Sequence, residues 1–260
     1  MIPMLIMGIA QGIFEWLPVS SQGMISTLYS FFFDKSYQES IQFALWLHIG
    51  TVPSVMIIFR RMLLQLGSEF IRSNHSYSPQ FKFFVISTLV SAPIGFGILI
   101  GLDELTKNAG NFFMVFVGVA MSISGIIQLR HKVLTNRVSN DLNLIDGVTA
   151  GIAQGLSVIP GFSRSGMTIS VLTLRGMDRR EVLSLSFIMG IPVSLGAALW
   201  IGITQGFTWS IEAVLSALVA FLVGLATINI LLSVSTKINL GAFIIIVGLI
   251  MIAGGLITTL

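Results

Sequence analysis

GIAQGIFEWLPVSSQGMIS (residues 8–26) and GIAQGLSVIPGFSRSGMTIS (residues 151–170) are copies of one another once one residue is inserted in the second. Each is an apolar segment cut by a polar, proline-bearing break, LPVSSQG at 17–23 and IPGFSRSG at 159–166. The arms flanking each break have about 10 to 15 residues, so at about 1.5 Å rise per residue they reach only about 15–22 Å. A bilayer core of about 30 Å is beyond them. Irregular backbone survives at membrane depth only where protein or a wet cavity satisfies its amides, so each unit reads as a re-entrant helical hairpin with a buried tip. Pro18 and Pro160 are expected to end the first arms.

The rest of the chain supplies the membrane. Only 10% of its 260 residues are charged, 54% are hydrophobic, and mean hydropathy is +0.93. Six runs are long enough to span: 41–59, 81–101, 111–129, 183–203, 211–233 and 240–259, none with a central charge. The reading is an all-α integral membrane protein of one domain, 1–260, with six transmembrane helices and two re-entrant hairpins. Repeat one is 1–133 with hairpin 3–33, and repeat two is 144–260 with hairpin 146–176. A hairpin leaves on the side it entered and three crossings change sides, so the second hairpin enters from the opposite face. That is an inverted-topology repeat, with its two tips meeting at mid-depth. The apolar start MIPMLIMGIA has no positive leader and is taken as part of the fold.

Loop charges orient it. Arg60, Arg61, Arg72, Lys82, Arg130, Lys132, Arg137, Arg175, Arg179, Arg180 and Lys237 fall on one face, and Lys35 and Lys107 on the other. The basic face is expected to be cytoplasmic and both termini extracytoplasmic in a multi-pass cell-membrane protein. A net charge of +3 distributed over loops argues against nucleic acid as a partner and for membrane lipids. The absence of cysteine excludes disulfides and thiolate metal sites, and three histidines make a multi-histidine cage improbable. The longest polar stretch, near 64–80, reads as a loop, and His75 and His131 as solvated loop residues.

Chemistry concentrates at the breaks. Glu15 and Arg164 are the acid and base of fixed charge left deep in the membrane region, where an ion needs a cavity and a partner. They could simply pin the tips together, but buried ion pairs add little net stability. Around Arg164, Ser163, Ser165 and Thr168 offer hydroxyls, and Gly161 and Gly166 would let backbone amides approach a ligand. A helix starting near Ser165 would aim its positive end at a negative group, and an oxyanion such as phosphate suits that nest. Arginine adds bidentate recognition. Ser20 and Ser21 lie just past the first break, as helix caps or as a nucleophile. Gln11 and Glu15 are four apart on one helix face, with Gln154 the supporting counterpart of Gln11 in the second copy. His48, in LWLHIGT, is either a packing residue or a proton carrier near the site. Asp146 and Glu212 read as carboxylates at helix starts.

QGIFEWLPVSSQG and PGFSRSG, with LHIGT at 47–51 and SFIMGIP at 186–192, resemble the undecaprenyl-diphosphate phosphatases of the bacitracin-resistance type. The resemblance implies removal of the terminal phosphate from a polyprenyl diphosphate lipid, recycling the carrier of cell-envelope glycans, with Mg2+ or Ca2+ aiding the reaction. By the same resemblance Arg164 clamps the diphosphate, Glu15 holds a cation or activates the attacking group, and Ser21 is the nucleophile or a phosphate ligand. Ser20, Ser163, Ser165, Gly166 and Thr168 contact phosphate. Gln11 stands where the family has a first glutamate, and Met24 where it has a histidine. His48 is a candidate to supply the missing acid or base. The departures keep a second function open, a flippase that carries a polyprenyl phosphate across the bilayer without cleaving it. Gly190, Gly196, Gly224, Gly248 and Gly254 could tighten packing within one protomer or across a homodimer.

Overall fold

The computed structural model describes residues 2–71, 77–108, 112–129, 137–205, 210–235 and 239–257. Arg72, His75, Arg130, His131, Lys132 and Lys237 lie outside them, as do the side chains of Lys107, Arg179 and Arg180. Among the described residues all regular structure is helical: α1 (Ile2–Phe14), α2 (Ser21–Phe33), α3 (Tyr37–Ile58), α4 (Arg60–Ile71), α5 (Pro79–Asn108), α6 (Phe112–Leu129), α7 (Leu144–Leu156), α8 (Arg164–Leu174), α9 (Arg179–Gln205), α10 (Ile211–Ser235) and α11 (Leu240–Ile257).

Five of these are long and apolar enough to cross a membrane: α3, α5, α6, α9 and α10. The run expected at 240–259 is the shorter apolar helix α11. The bundle turns large apolar side chains outward on several helices, among them Leu89, Leu199, Leu222 and Ile246, as a protein solvated by lipid does and a soluble one does not. The four arms of the broken segments have 13, 13, 13 and 11 residues. Both first arms stop four residues before their proline, α1 at Phe14 and α7 at Leu156, because the chain must leave the helical region before the ring.

Local chemistry sets the starts. Ser36 and Glu39 form a capping box that begins α3. Asn143 and Asp146 do the same for α7, which places Asp146 where its helix-start reading put it. That carboxylate also takes Arg137 at 2.7 Å and Arg175 at 2.7 Å, tying the segment before α7 to the end of α8. One element departs from expectation. Residues 60–71, most of which fall in the stretch read as a loop, form α4, an amphipathic helix that buries none of its side chains. Its apolar residues lean on α5 and on the surroundings rather than on a core.

Packing comes in matched pairs. Gly8 and Gly12 of α1 abut Ser216 and Ala220 of α10; Gly151 and Gly155 of α7 abut Ser87 and Ser91 of α5. The GIAQG glycines thus perform one task twice, admitting a helix from the other half of the chain at backbone contact. Helices α6 and α11 run antiparallel, with Gly118 against Gly248 and Gly125 against Gly241. Gly224, against Trp16 and Ser54, and Gly254, against Met114, also pack inside the chain. Gly196, by contrast, has open space where a side chain would stand.

Candidate active site

The two breaks meet. A Cβ added at Gly23 would come within 3.1 Å of the Gly161 amide, Ser165 Oγ donates to the Leu17 carbonyl at 3.4 Å, and Gln128 of α6 donates to the Pro18 carbonyl at 3.0 Å. Between the tips lies a cavity of about 60 Å³ whose walls include Glu15, Ser21, His48, Ser163, Arg164 and Ser165.

Two helices begin at this cavity. Ser20 caps α2 by accepting from the Gly23 amide at 3.3 Å, and Ser163 caps α8 by accepting from the Gly166 amide at 3.1 Å. Each cap satisfies one early amide, and the preceding ones, of Ser21 and Gln22 and of Arg164 and Ser165, have no carbonyl one turn back within their helix. Two positive helix ends therefore converge on one small space, which favours an anion there. Ser20 does this from a left-handed conformation, φ 59° and ψ 72°, strained for a residue with a Cβ. Such strain is kept where surrounding structure enforces it, and here it sits at the tip that faces the cavity.

Glu15, 5% exposed, is the hub. Its Oε2 accepts from Ser21 Oγ at 2.8 Å and from Gln11 Nε2 at 3.0 Å, and lies 3.3 Å from His48 Nε2. Its Oε1 is paired with Arg164 Nη2 from the opposite hairpin. His48 is held by its other nitrogen, Nδ1, 2.9 Å from the Ala44 carbonyl. A carbonyl only accepts, so in this contact Nδ1 is the donor, and Nε2 is the nitrogen turned toward Glu15. Met24, where the family pattern has a histidine, packs into the apolar cluster of Val117 and Leu45, while α3 brings His48 to the carboxylate instead.

Other expected residues serve elsewhere. Thr168 Oγ1 bonds the Arg164 carbonyl at 2.9 Å and Ser186 Oγ at 2.6 Å, joining α8 to α9 away from the cavity. Gln154 donates to Ser91 Oγ and the Met189 carbonyl, each at 3.1 Å, and belongs to the packing of α7 on α5 and α9. Gly161, at φ +102°, and Gly166 do not open a path for a ligand: a Cβ at either would collide with α6, at the Val117 carbonyl and the Gln128 amide respectively. Their task is to let the second tip lie on that helix.

Gly190 of α9 has a role the sequence did not disclose. A Cβ there would fall on Nη1 of Arg164, so the guanidinium lies across the backbone of α9 in the place of a side chain. Gln128, which fixes the first tip from the end of an apolar run, is the second such residue. Its polarity at that place was the available signal.

A divalent cation finds few ligands here. Among the described residues no three His, Cys, Asp or Glu side chains gather, and Glu15 is already engaged on both oxygens. Gln11 Oε1, buried and without a donor among the described residues, adds one neutral oxygen. Mg2+ or Ca2+ takes about six or more oxygens, so Glu15 and Gln11 Oε1 would supply only part of its shell, the rest being left to water or a ligand's phosphates.

The family model described as bacitracin resistance protein BacA matches residues 4–253. An undecaprenyl-diphosphatase of Methanococcoides burtonii is 34% identical over 94% of this chain and 94% of its own. Proteins of the same description from Haloarcula marismortui, 30% identical over 98% and 97%, and Saccharolobus solfataricus, 32% identical over 97% and 95%, are similar along their full length.

Proposed function

The chain belongs to the bacitracin resistance protein BacA family, and on that premise we propose that it is an undecaprenyl-diphosphatase, a membrane hydrolase that releases inorganic phosphate and returns the lipid monophosphate carrier. The observation that carries the chemistry is Ser21 Oγ, 2.8 Å from Glu15 Oε2, a nucleophile already hydrogen-bonded to its base.

The diphosphate lies between the two helix starts, its charge met by Arg164 and the early amides of α2 and α8. Ser21 Oγ attacks the terminal phosphorus, and its proton passes to Glu15. The bond from that phosphorus to the bridging oxygen breaks, and undecaprenyl phosphate leaves. Water then attacks the phosphoserine, Ser21 recovers a proton, and inorganic phosphate departs. His48, through Nε2, takes and returns the proton that Glu15 carries between the steps. Phosphoryl transfer is accelerated mainly by positioning and charge neutralisation, so one arginine, two helix ends and a pre-bonded serine are suited to it. A Mg2+ or Ca2+ ion would come with the diphosphate and add charge neutralisation, with Gln11 Oε1 and the Glu15 carboxylate as the nearest protein oxygens.

The membrane arrangement is part of the same reading. The matched packing of α1 on α10 and α7 on α5, and the antiparallel α6 and α11, support an inverted-topology repeat of 1–133 and 144–260, with six spans and hairpins 3–33 and 146–176 entering from opposite faces. By the loop charges the termini lie outside and the second hairpin enters from the cytoplasm.

The test uses undecaprenyl diphosphate labelled in its terminal phosphate, mixed with protein in detergent and quenched in acid. Label should be recovered on Ser21 and be absent from Ser21→Ala, whose turnover falls by about a thousandfold. A Ser21→Ala protein that hydrolyses at the parent rate would remove serine from the mechanism.

A further inference from the structure

We propose that α5 carries a track for the polyprenyl chain, leading from the polar cavity between α5 and α9 down to the apolar face of α4. The idea rests on the substrate class proposed above and deepens it by assigning the tail a place.

The first section is an apolar groove of about 570 Å³ between α5 and α9. It exists because the residues facing it are small: Ala92 and Gly95 on one wall, Gly196 and Ala197 on the other. A Cβ at Gly196 would meet no atom within 4 Å. Pro93 and Pro192, one in each wall, stand inside continuous helices at this level, where each removes a backbone N–H from the helix ladder. Phe96 and Trp200 bridge the walls edge to face, their ring centres 4.6 Å apart. Protein interiors are close-packed, and an apolar void of this size inside a bilayer is filled by a chain.

Its continuity says which chain. Leu99, Val158, Val193 and Ala197 are walls of both this groove and the polar cavity. A molecule whose phosphates sit between the helix starts therefore has its tail at the mouth of the groove. At the other end Thr88 is shared with a second apolar pocket of about 330 Å³, where Leu66 of α4 faces Phe81, Phe84 and Leu89 of α5. This accounts for α4 as well, an amphipathic helix without a buried residue whose apolar face roofs the far end of the track. Two joined sections of about 570 and 330 Å³ suit a long isoprenoid, which a short prenyl chain would fill only in part.

The test is equilibrium binding to the full-length protein in nanodiscs, with undecaprenyl phosphate, farnesyl phosphate and inorganic diphosphate as probes. Gly196→Leu fills the groove from open space and should weaken undecaprenyl phosphate about tenfold while leaving inorganic diphosphate unchanged. Thr88→Phe, at the junction, should weaken undecaprenyl phosphate and spare farnesyl phosphate. Equal affinities of parent and both variants for the long lipid would overturn the track and leave the groove to ordinary bilayer acyl chains. Phosphate release from undecaprenyl diphosphate by the same parent preparation reports separately on the hydrolase reading, because none of the binding probes requires turnover.

Discussion

Glu15, just past the end of α1, receives four groups from four helices: Gln11 of α1, Ser21 of α2, His48 of α3 and Arg164 of α8. Glu15 and Arg164 were legible as a pair because charge is scarce in this chain and an ion inside an apolar run needs a partner, whereas His48 read equally as a packing residue or a proton carrier. Ser21 was legible from its place just past a proline break. Gly190 was not, since it is one of 26 glycines and nothing local distinguishes the one that seats a guanidinium. The copies also differ where it counts. With GIAQG aligned, Glu15 matches Val158 and Ser21 matches Arg164, so one half supplies the base and nucleophile and the other the cation. Gly190→Ala forces that cation from its seat, and a displacement of about 1 Å costs about a hundredfold in kcat/KM. Steady-state kinetics with an unchanged melting temperature would show this; parental kcat/KM would mean that the guanidinium has another resting place.

At the scale of elements, the breaks were readable because proline, glycine and serine interrupt apolar runs too short to span. Helix α4 was missed because its 12 residues carry Arg60, Arg61, Gln65 and Glu69, and its apolar stripe has no core partner to recommend it. The clamp on α7 was half seen. Asp146 was placed at a helix start, but its partners Arg137 and Arg175 are 9 and 29 residues away, beyond any local pattern. Burial of Asp146 pushes its carboxyl up, yet the hydrogen bonds from Arg137 and Arg175 outweigh that and hold it below the ordinary aspartate range. A depressed carboxyl stabilises the fold above its unfolded value, so the contribution is complete above about pH 4 and is lost as pH falls through the lower folded-state value. Asp146→Asn leaves two arginines without their anion and should cost about 3 kcal/mol at neutral pH, with less difference from the parent in strong acid. Chemical denaturation in detergent across pH measures it, and a difference that does not shrink in acid would contradict the ion-pair account.

Across the whole molecule, the duplication was readable from two copies of GIAQG, but the way the halves interlock was not. The glycines show it: α1 packs on α10 and α7 on α5, so each half completes the other and neither hairpin is supported by its own repeat alone. This arrangement brings two helix starts to one cavity. The orientation can be tested cleanly because the chain has no cysteine. In intact cells Lys35→Cys should react with a membrane-impermeant maleimide, and Arg61→Cys only after permeabilisation; the reverse pattern would invert the topology.

The central claim is that the carboxylate of one hairpin and the guanidinium of the other form a hydrolytic phosphate site. The rate of phosphate release from undecaprenyl diphosphate by purified parent, Glu15→Gln and Arg164→Lys tests it most directly. Steady release by the parent is predicted, with a loss of about a hundredfold or more in each variant. A parent that binds the lipid and releases no phosphate, or variants that keep its rate, would contradict the claim and return the site to a carrier or a mere structural pin.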